Sequence, residues 1–269
     1  MVEKKTPVGK PADDFIRIQD LWSMFVPKWY WFAISLFITL TIAVLYLLST
    51  PPIYTRTAAI LVKDNSKSSS STSAMNDFSD LGIFKSNTNI NNELLTLKSP
   101  TLMTEVVNRL GLNETFTIRK GLKNVDLYKV SPVTITFCDK IEVPLSFTIK
   151  FSSKEAFAIS ELEISGEDIG ETLSAQMGDS IQTSAGIMIV SPTQEFTDAF
   201  IGTSIRYVRG SVRAAVDTYS NALVAELGNE DATIINLSIN DTSIRKAEDI
   251  LNTLIEVYNE NWIRDKNQI

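Results

Sequence analysis

Residues Trp29 to Leu48 read WYWFAISLFITLTIAVLYLL, an unbroken apolar run without a charge, a Gly or a Pro. At about 1.5 Å per residue in a helix, roughly 20 such residues cross a hydrocarbon layer ~30 Å thick. Trp29, Tyr30 and Trp31 at one end and Tyr46 near the other combine apolar bodies with polar edges, which suits the two membrane interfaces. The run therefore divides the chain into a tail of residues 1–28, a transmembrane helix over 29–48 and a domain over 49–269. A cleaved signal peptide is the rival reading. The preceding 28 residues are too many for a basic n-region, and Ser49-Thr50-Pro51-Pro52 stands where a small-residue cleavage motif belongs, so an uncleaved anchor fits better.

Charge orients the anchor. Lys4, Lys5, Lys10, Arg17 and Lys28 precede the span, against Arg56, Lys63 and Lys67 in the comparable stretch after it, which places the tail in the cytoplasm and the bulk outside. The whole chain carries −7 and the tail +1, leaving −8 for the remainder. So acidic a remainder argues against nucleic acid and anionic lipid headgroups as partners, since both attract basic surfaces. Histidine is absent, which excludes imidazole triads, His-ligated zinc and imidazole pH switching. Cys138 is alone, so no intrachain disulfide forms, and its place after the alternating run from Pro132 to Phe137 suggests a buried strand residue.

Along the chain, Phe15, Ile18, Leu21, Trp22 and Phe25 recur at helical spacing, giving a short amphipathic helix over 14–27 on the inner membrane surface or docked to a cytosolic partner. Ile53 to Val62 (IYTRTAAILV) is rich in β-formers and reads as a first strand. The Ser-rich stretch within 64–88 reads as a mobile loop, because it buries too little apolar area to offset ordering. Asn89 to Leu97 is helical, and Ser99-Pro100 opens a second helix, with Ser as N-cap and Pro at the first turn, that stops at Gly111.

Between 125 and 195 the pattern changes to period two, clearest in Leu145, Phe147, Ile149 and Phe151, with turn signals between short runs: a β-rich insert. Beyond it the pattern predicts a strand over Ile201–Val208, a helix over Ser211–Leu227 closed by Gly228, and a strand over Thr233–Ile239. A final helix over 241–269 is capped by Asp241 or Thr242 and runs on without a natural stop, as the start of a longer helix. The sum is an α+β fold, a mixed sheet with helices packed on one face.

Specific strings carry a resemblance. Pro51-Pro52-Ile53-Tyr54 leading into Ala58-Ala59-Ile60-Leu61-Val62, then Glu93-Leu94-Leu95-Thr96-Leu97-Lys98-Ser99, resemble the chain-length determinant (polysaccharide co-polymerase) family. Val125-Asp126-Leu127-Tyr128, Ser131-Pro132-Val133, and Ala247 to Ile255 with Tyr258-Asn259-Glu260 and Asp265-Lys266-Asn267 are similar to its large capsule and exopolysaccharide members from the Bacteroides group. The resemblance implies an inner-membrane protein whose periplasmic domain forms a homo-oligomeric ring. Such a ring sets the length of a capsule, exopolysaccharide or O-antigen polymer. Its implied partners are a separate polysaccharide polymerase, the lipid-linked glycan, membrane lipid and an outer-membrane export channel.

Larger relatives continue with a helical hairpin, a second span and often a tyrosine kinase domain. This chain shows one span and no G-x-x-x-x-G-K-[ST] loop, so kinase activity is not carried over, and the resemblance covers the N-terminal part of such a protein. No catalytic, cofactor-binding or metal site is expected. The acid pairs Asp13/Asp14 and Glu230/Asp231 suit solvated turns. Asp198, Asp217 and Asp241 lack a calcium-loop pattern, and the Asn113 and Asn240 sequons read as chance matches. The alternative to a co-polymerase subunit is a membrane-anchored periplasmic binding or sensory domain.

Overall fold

The computed structural model describes residues 26–62, 86–138, 143–228 and 234–267. They fall into two compact units that meet between Thr50 and Pro51. The amphipathic helix expected over 14–27 lies outside the described residues except for its last two positions. Of the loop expected over 64–88, residues 64–85 lie outside them too, and the chain is helical from Ser86.

In the first unit a 3-10 turn, Val26–Lys28, leads into helix α1, Trp29–Ser49. Its side chains are exposed on every side, as suits a helix solvated by hydrocarbon rather than by a protein core. The hydroxyls of Thr39 and Thr41 donate to the Ser35 and Phe37 carbonyls at 2.8 Å, so neither demands a partner from its surroundings. Thr50 turns extended ahead of Pro51, because a residue before proline is barred from the helical region.

The second unit runs as β1 (Tyr54–Leu61), α2 (Ser86–Leu97), α3 (Pro100–Leu110), β2 (Glu114–Lys120), β3 (Lys123–Asp126), β4 (Val133–Phe137), β5 (Leu145–Phe151), β6 (Ala156–Ile164), β7 (Glu167–Asp168), β8 (Leu173–Gln176), β9 (Ser180–Thr183), β10 (Gly186–Pro192), β11 (Ser204–Arg209), α4 (Val212–Ala222), β12 (Leu223–Leu227), β13 (Ile234–Asp241) and α5 (Ile244–Asn267). It has two cores. The base core joins both ends of the unit: β13 lies between β1 and β12 in an antiparallel three-stranded sheet, with Tyr54 opposite Asp241 and Ile60 opposite Ile235. Leu223, Ala225, Ile235, Leu237 and Ile239 face the helices, while Thr55, Thr57, Val224 and Asn236 face out. Helices thus cover one face of this sheet, as the sequence pattern implied, but the described strand pairs are all antiparallel rather than the expected mixed sheet, because the chain reverses at each pairing instead of crossing over through a helix.

Local chemistry sets its helix ends. The Ser99 side chain accepts from the Leu102 amide at 3.2 Å, Pro100 opens α3 and Gly111 closes it in the left-handed region at φ 62°. Two polar ties bind the early helices to α5. Arg109 grips Glu260 (Nη1–Oε1 3.0 Å) and Glu105 (Nη2–Oε1 2.6 Å), and the Tyr258 hydroxyl donates to Glu93 at 2.7 Å.

The second core belongs to the strands from Glu114 to Arg209, a wider stretch than 125–195. A larger sheet runs β3-β2-β11-β5-β6-β7, with β8 also on β6, and packs through Phe147, Ile149, Phe157 and Tyr207 against the smaller sheet β4-β10-β9. This strand module leaves the base and returns to it at one point. Glu114 pairs with Arg209 in register, and the Gly210 amide donates to the Asn113 carbonyl at 2.8 Å. Close termini let such a module sit within a fold without disturbing the host core.

Two further expectations need correction. The helix expected over Ser211–Leu227 ends at Ala222, and Leu223–Leu227 is the strand β12. Val216, Tyr219, Leu223 and Leu227 fit a helical stripe, but Leu223, Ala225 and Leu227 also alternate, and pairing with β13 decides between the two. Cys138 is exposed rather than buried. Along β4, Val133 and Ile135 point inward, so Thr134, Thr136 and Cys138 share the outer face by parity.

Candidate functional site

The two cores meet at the first turn of α5. Ser243 caps that helix: its hydroxyl accepts from the Lys246 amide at 3.4 Å, and its own amide donates to Asp241 Oδ1 at 2.7 Å. The cap thus lies one or two residues beyond the expected Asp241 or Thr242. Lys246 sits where the positive end of the helix dipole disfavours a cation, and no acidic residue precedes it in that turn. Its burial, at 7 % exposure, adds a desolvation cost.

Both costs are offset from outside the helix. Asp126, the last residue of β3, accepts from the Lys246 ammonium through Oδ2 and from the Tyr128 amide through Oδ1 at 3.0 Å. Asp241 Oδ2 lies 3.7 Å from the same ammonium, and the Tyr128 ring centroid 6.0 Å away. One turn on, Asp249 receives Lys129 at 2.7 Å. The segment from Asp126 to Lys129 in the strand module therefore clasps the start of α5 in the base, with a cation and an anion offered by each side.

Burial lowers the Lys246 pKa, but Tyr219, then Asp126 and Asp241, outweigh it and hold the value above the ordinary lysine range. Burial and then Asp249 push the Tyr128 phenol upward as well, so it stays neutral. Because Lys246 binds its proton more tightly folded than unfolded, its stabilisation is complete below the unfolded lysine value of about 10.4 and fades as pH rises through the higher folded one. With no imidazole in the chain, melting temperature is expected to be flat between about pH 6 and 9. Thermal scans across that interval check this, and a clear drop within it would mean that Lys246 is not held by its acids.

A cleft of ≈ 360 Å³ opens beside the clasp, lined among others by Glu114, Phe116, Tyr128, Thr134, Glu195 and Lys246. Its Glu114 lies 3.8 Å from Arg209, and the Arg209 guanidinium stacks 4.9 Å from the Phe137 ring centroid. Charges here are paired across the junction, which makes the site a mechanical joint.

The acids weighed from sequence are dispersed. Asp198 pairs with Lys154 at 2.8 Å in the strand module, Asp217 is exposed on α4, and Asp241 serves the clasp. No group of three possible metal ligands occurs among the described residues. Asp13, Asp14, Glu230 and Asp231 lie outside them. Sequence reasoning missed Lys246 and Asp126, which are 120 positions apart. The available signal was the Arg245-Lys246 pair in a first helical turn, where acids are favoured.

Fold and joint together define an α+β protein with an N-terminal helix long and apolar enough to span a membrane and a strand module fixed to its base. Residues 14–110 match the family model described as Wzz: Chain length determinant protein. That segment is similar to chain-length determinant proteins, non-enzymatic regulators of polysaccharide synthesis, and the match supports the family resemblance carried by the sequence strings. No curated protein matches the chain.

Proposed function

We propose that the chain is an inner-membrane polysaccharide co-polymerase subunit, with residues 51–269 in the periplasm, that regulates the length and export of a capsule, exopolysaccharide or O-antigen through homo-oligomeric assembly. One observation carries this reading. The family-matched segment supplies α1, β1, α2 and α3, and the last three are built into one core with residues 212–258. The match is therefore the frame of the anchored domain. The junction offers no nucleophile-base pair, and its charges fix one element against another. A protein acting by geometry needs such a joint, because the shape presented to a polymerase and its lipid-linked glycan is then the functional quantity.

Oligomeric state in detergent tests the proposal. Light scattering on the purified full chain is expected to show an assembly of several copies. A monomer that binds a small ligand saturably would instead favour an anchored binding or sensory domain.

A further inference from the structure

The turn between β2 and β3 stands apart from the net negative charge of the chain. Arg119, Lys120 and Lys123 surround Gly121 and Leu122, with no acid from Thr115 to Val125. Gly121 takes φ 63°, which a tight turn demands, and the Arg119 guanidinium donates to the Gly121 carbonyl at 3.3 Å. Leu122 is 50 % exposed at the tip. None of the three cations enters an ion pair among the described residues. Elsewhere in the unit basic side chains commonly do, as Arg56, Arg109, Lys129, Lys154, Arg206, Arg209 and Lys246 show.

The position of the turn is informative. Lys123, Asn124 and Val125 line one cavity of ≈ 250 Å³ together with Pro51, Pro52 and Tyr54. Pro51 is two residues beyond Ser49, the last residue of α1, so covalent length alone keeps it within about 7 Å of that helix end. We propose that the β2–β3 turn is a membrane-surface contact, with Arg119, Lys120 and Lys123 on anionic phospholipid headgroups and Leu122 inserted at the interface. An unpaired basic cluster tipped by an exposed apolar side chain is the composition that interfacial binding requires. Each cation within a Debye length of an anionic leaflet adds about fivefold to the local binding constant. The chain-wide charge that argued against anionic lipid is an average, and this turn departs from it locally.

The inference rests on α1 being a membrane span, so the test separates the two. The full chain with Cys138→Ser is placed in nanodiscs, and Leu122→Cys carries a fluorophore read against lipids bearing a spin label on the headgroup. A second variant, Leu40→Cys, is read against acyl-chain spin labels. The Leu122 position is expected to be quenched at least about twofold more in discs containing phosphatidylglycerol than in pure phosphatidylcholine. Lys120→Glu with Lys123→Glu, or high salt, is expected to abolish the difference. Quenching at Leu40 without quenching at Leu122 would overturn the surface contact alone, and leave the turn to a soluble acidic partner. Equal quenching in both lipids, unmoved by charge reversal, would overturn the headgroup assignment. No quenching at Leu40 would overturn the span itself.

Discussion

Lys246→Met is expected to lower the stability of the domain by ~3–5 kcal/mol, seen as a fall in melting temperature of roughly 10 °C or more. The substitution keeps the length and apolar stem of the side chain while removing its charge, so the effect comes from what stays behind. Asp126 and Asp241 are left as two buried carboxylates, with side chains about a tenth exposed, facing each other without a cation. Adding Asp126→Asn removes one of the stranded charges and is expected to recover part of the loss, because deleting both partners of a buried pair costs less than deleting one. Its amide oxygen still accepts from the Tyr128 amide. Calorimetry on the three proteins checks the order. A Lys246→Met variant within about 1 kcal/mol of the parent, or a double variant less stable than it, would show that the clasp does not hold the cores together.

Ending the chain at Gly228 is expected to unfold the base, including the segment that carries the family match. The cut removes β13 and α5. β13 is the only strand between β1 and β12 in their sheet, so β1 loses every ladder partner it has among the described residues. Nine of the nineteen buried apolar residues described in the base core go with it, from Ile235 to Tyr258. At ~1.5–3 kcal/mol for each large side chain, the loss matches or exceeds the roughly 5–15 kcal/mol by which whole domains are stable. The strand module keeps its own core, with Phe147, Phe157 and Tyr207 untouched. Hydrogen exchange is expected to show unprotected amides over Tyr54–Leu61 alongside protected ones over Leu145–Phe151. Protection of β1 in the shortened chain would mean that the matched segment folds alone.

Much of the architecture could be read from local chemistry because it is encoded locally. The span needs only composition, and α3 is bounded by Ser99, Pro100 and Gly111, each acting on its own backbone neighbours. The first strand, expected over Ile53–Val62, is observed over Tyr54–Leu61. Misreadings fell where two periods coincide, as at Leu223 to Leu227, or where a residue lies just past the pattern that surrounds it, as at Cys138. The joint was out of reach for a different reason. It consists of pairings between residues that the topology, not the local sequence, brings together, and nothing about Asp126 distinguishes it from other acids near a strand end. The one local cue is Arg245-Lys246, two cations in a helical turn that disfavours them, and it does not say which of the two is buried. The basic turn at Arg119 to Lys123 is missing from the sequence reading, because the net negative charge hides a three-residue departure from it and its meaning depends on lying beside Pro51 and Pro52.

Electrophoresis of the surface polysaccharide, comparing the parent strain, a strain lacking the chain and the same strain complemented, tests the chain-length role most directly. Loss of the chain is expected to turn a modal cluster of polymer lengths into a broad distribution, and complementation to restore the mode. Complementation with Lys246→Met is expected to restore it poorly. A length distribution that is the same with and without the chain would contradict the role.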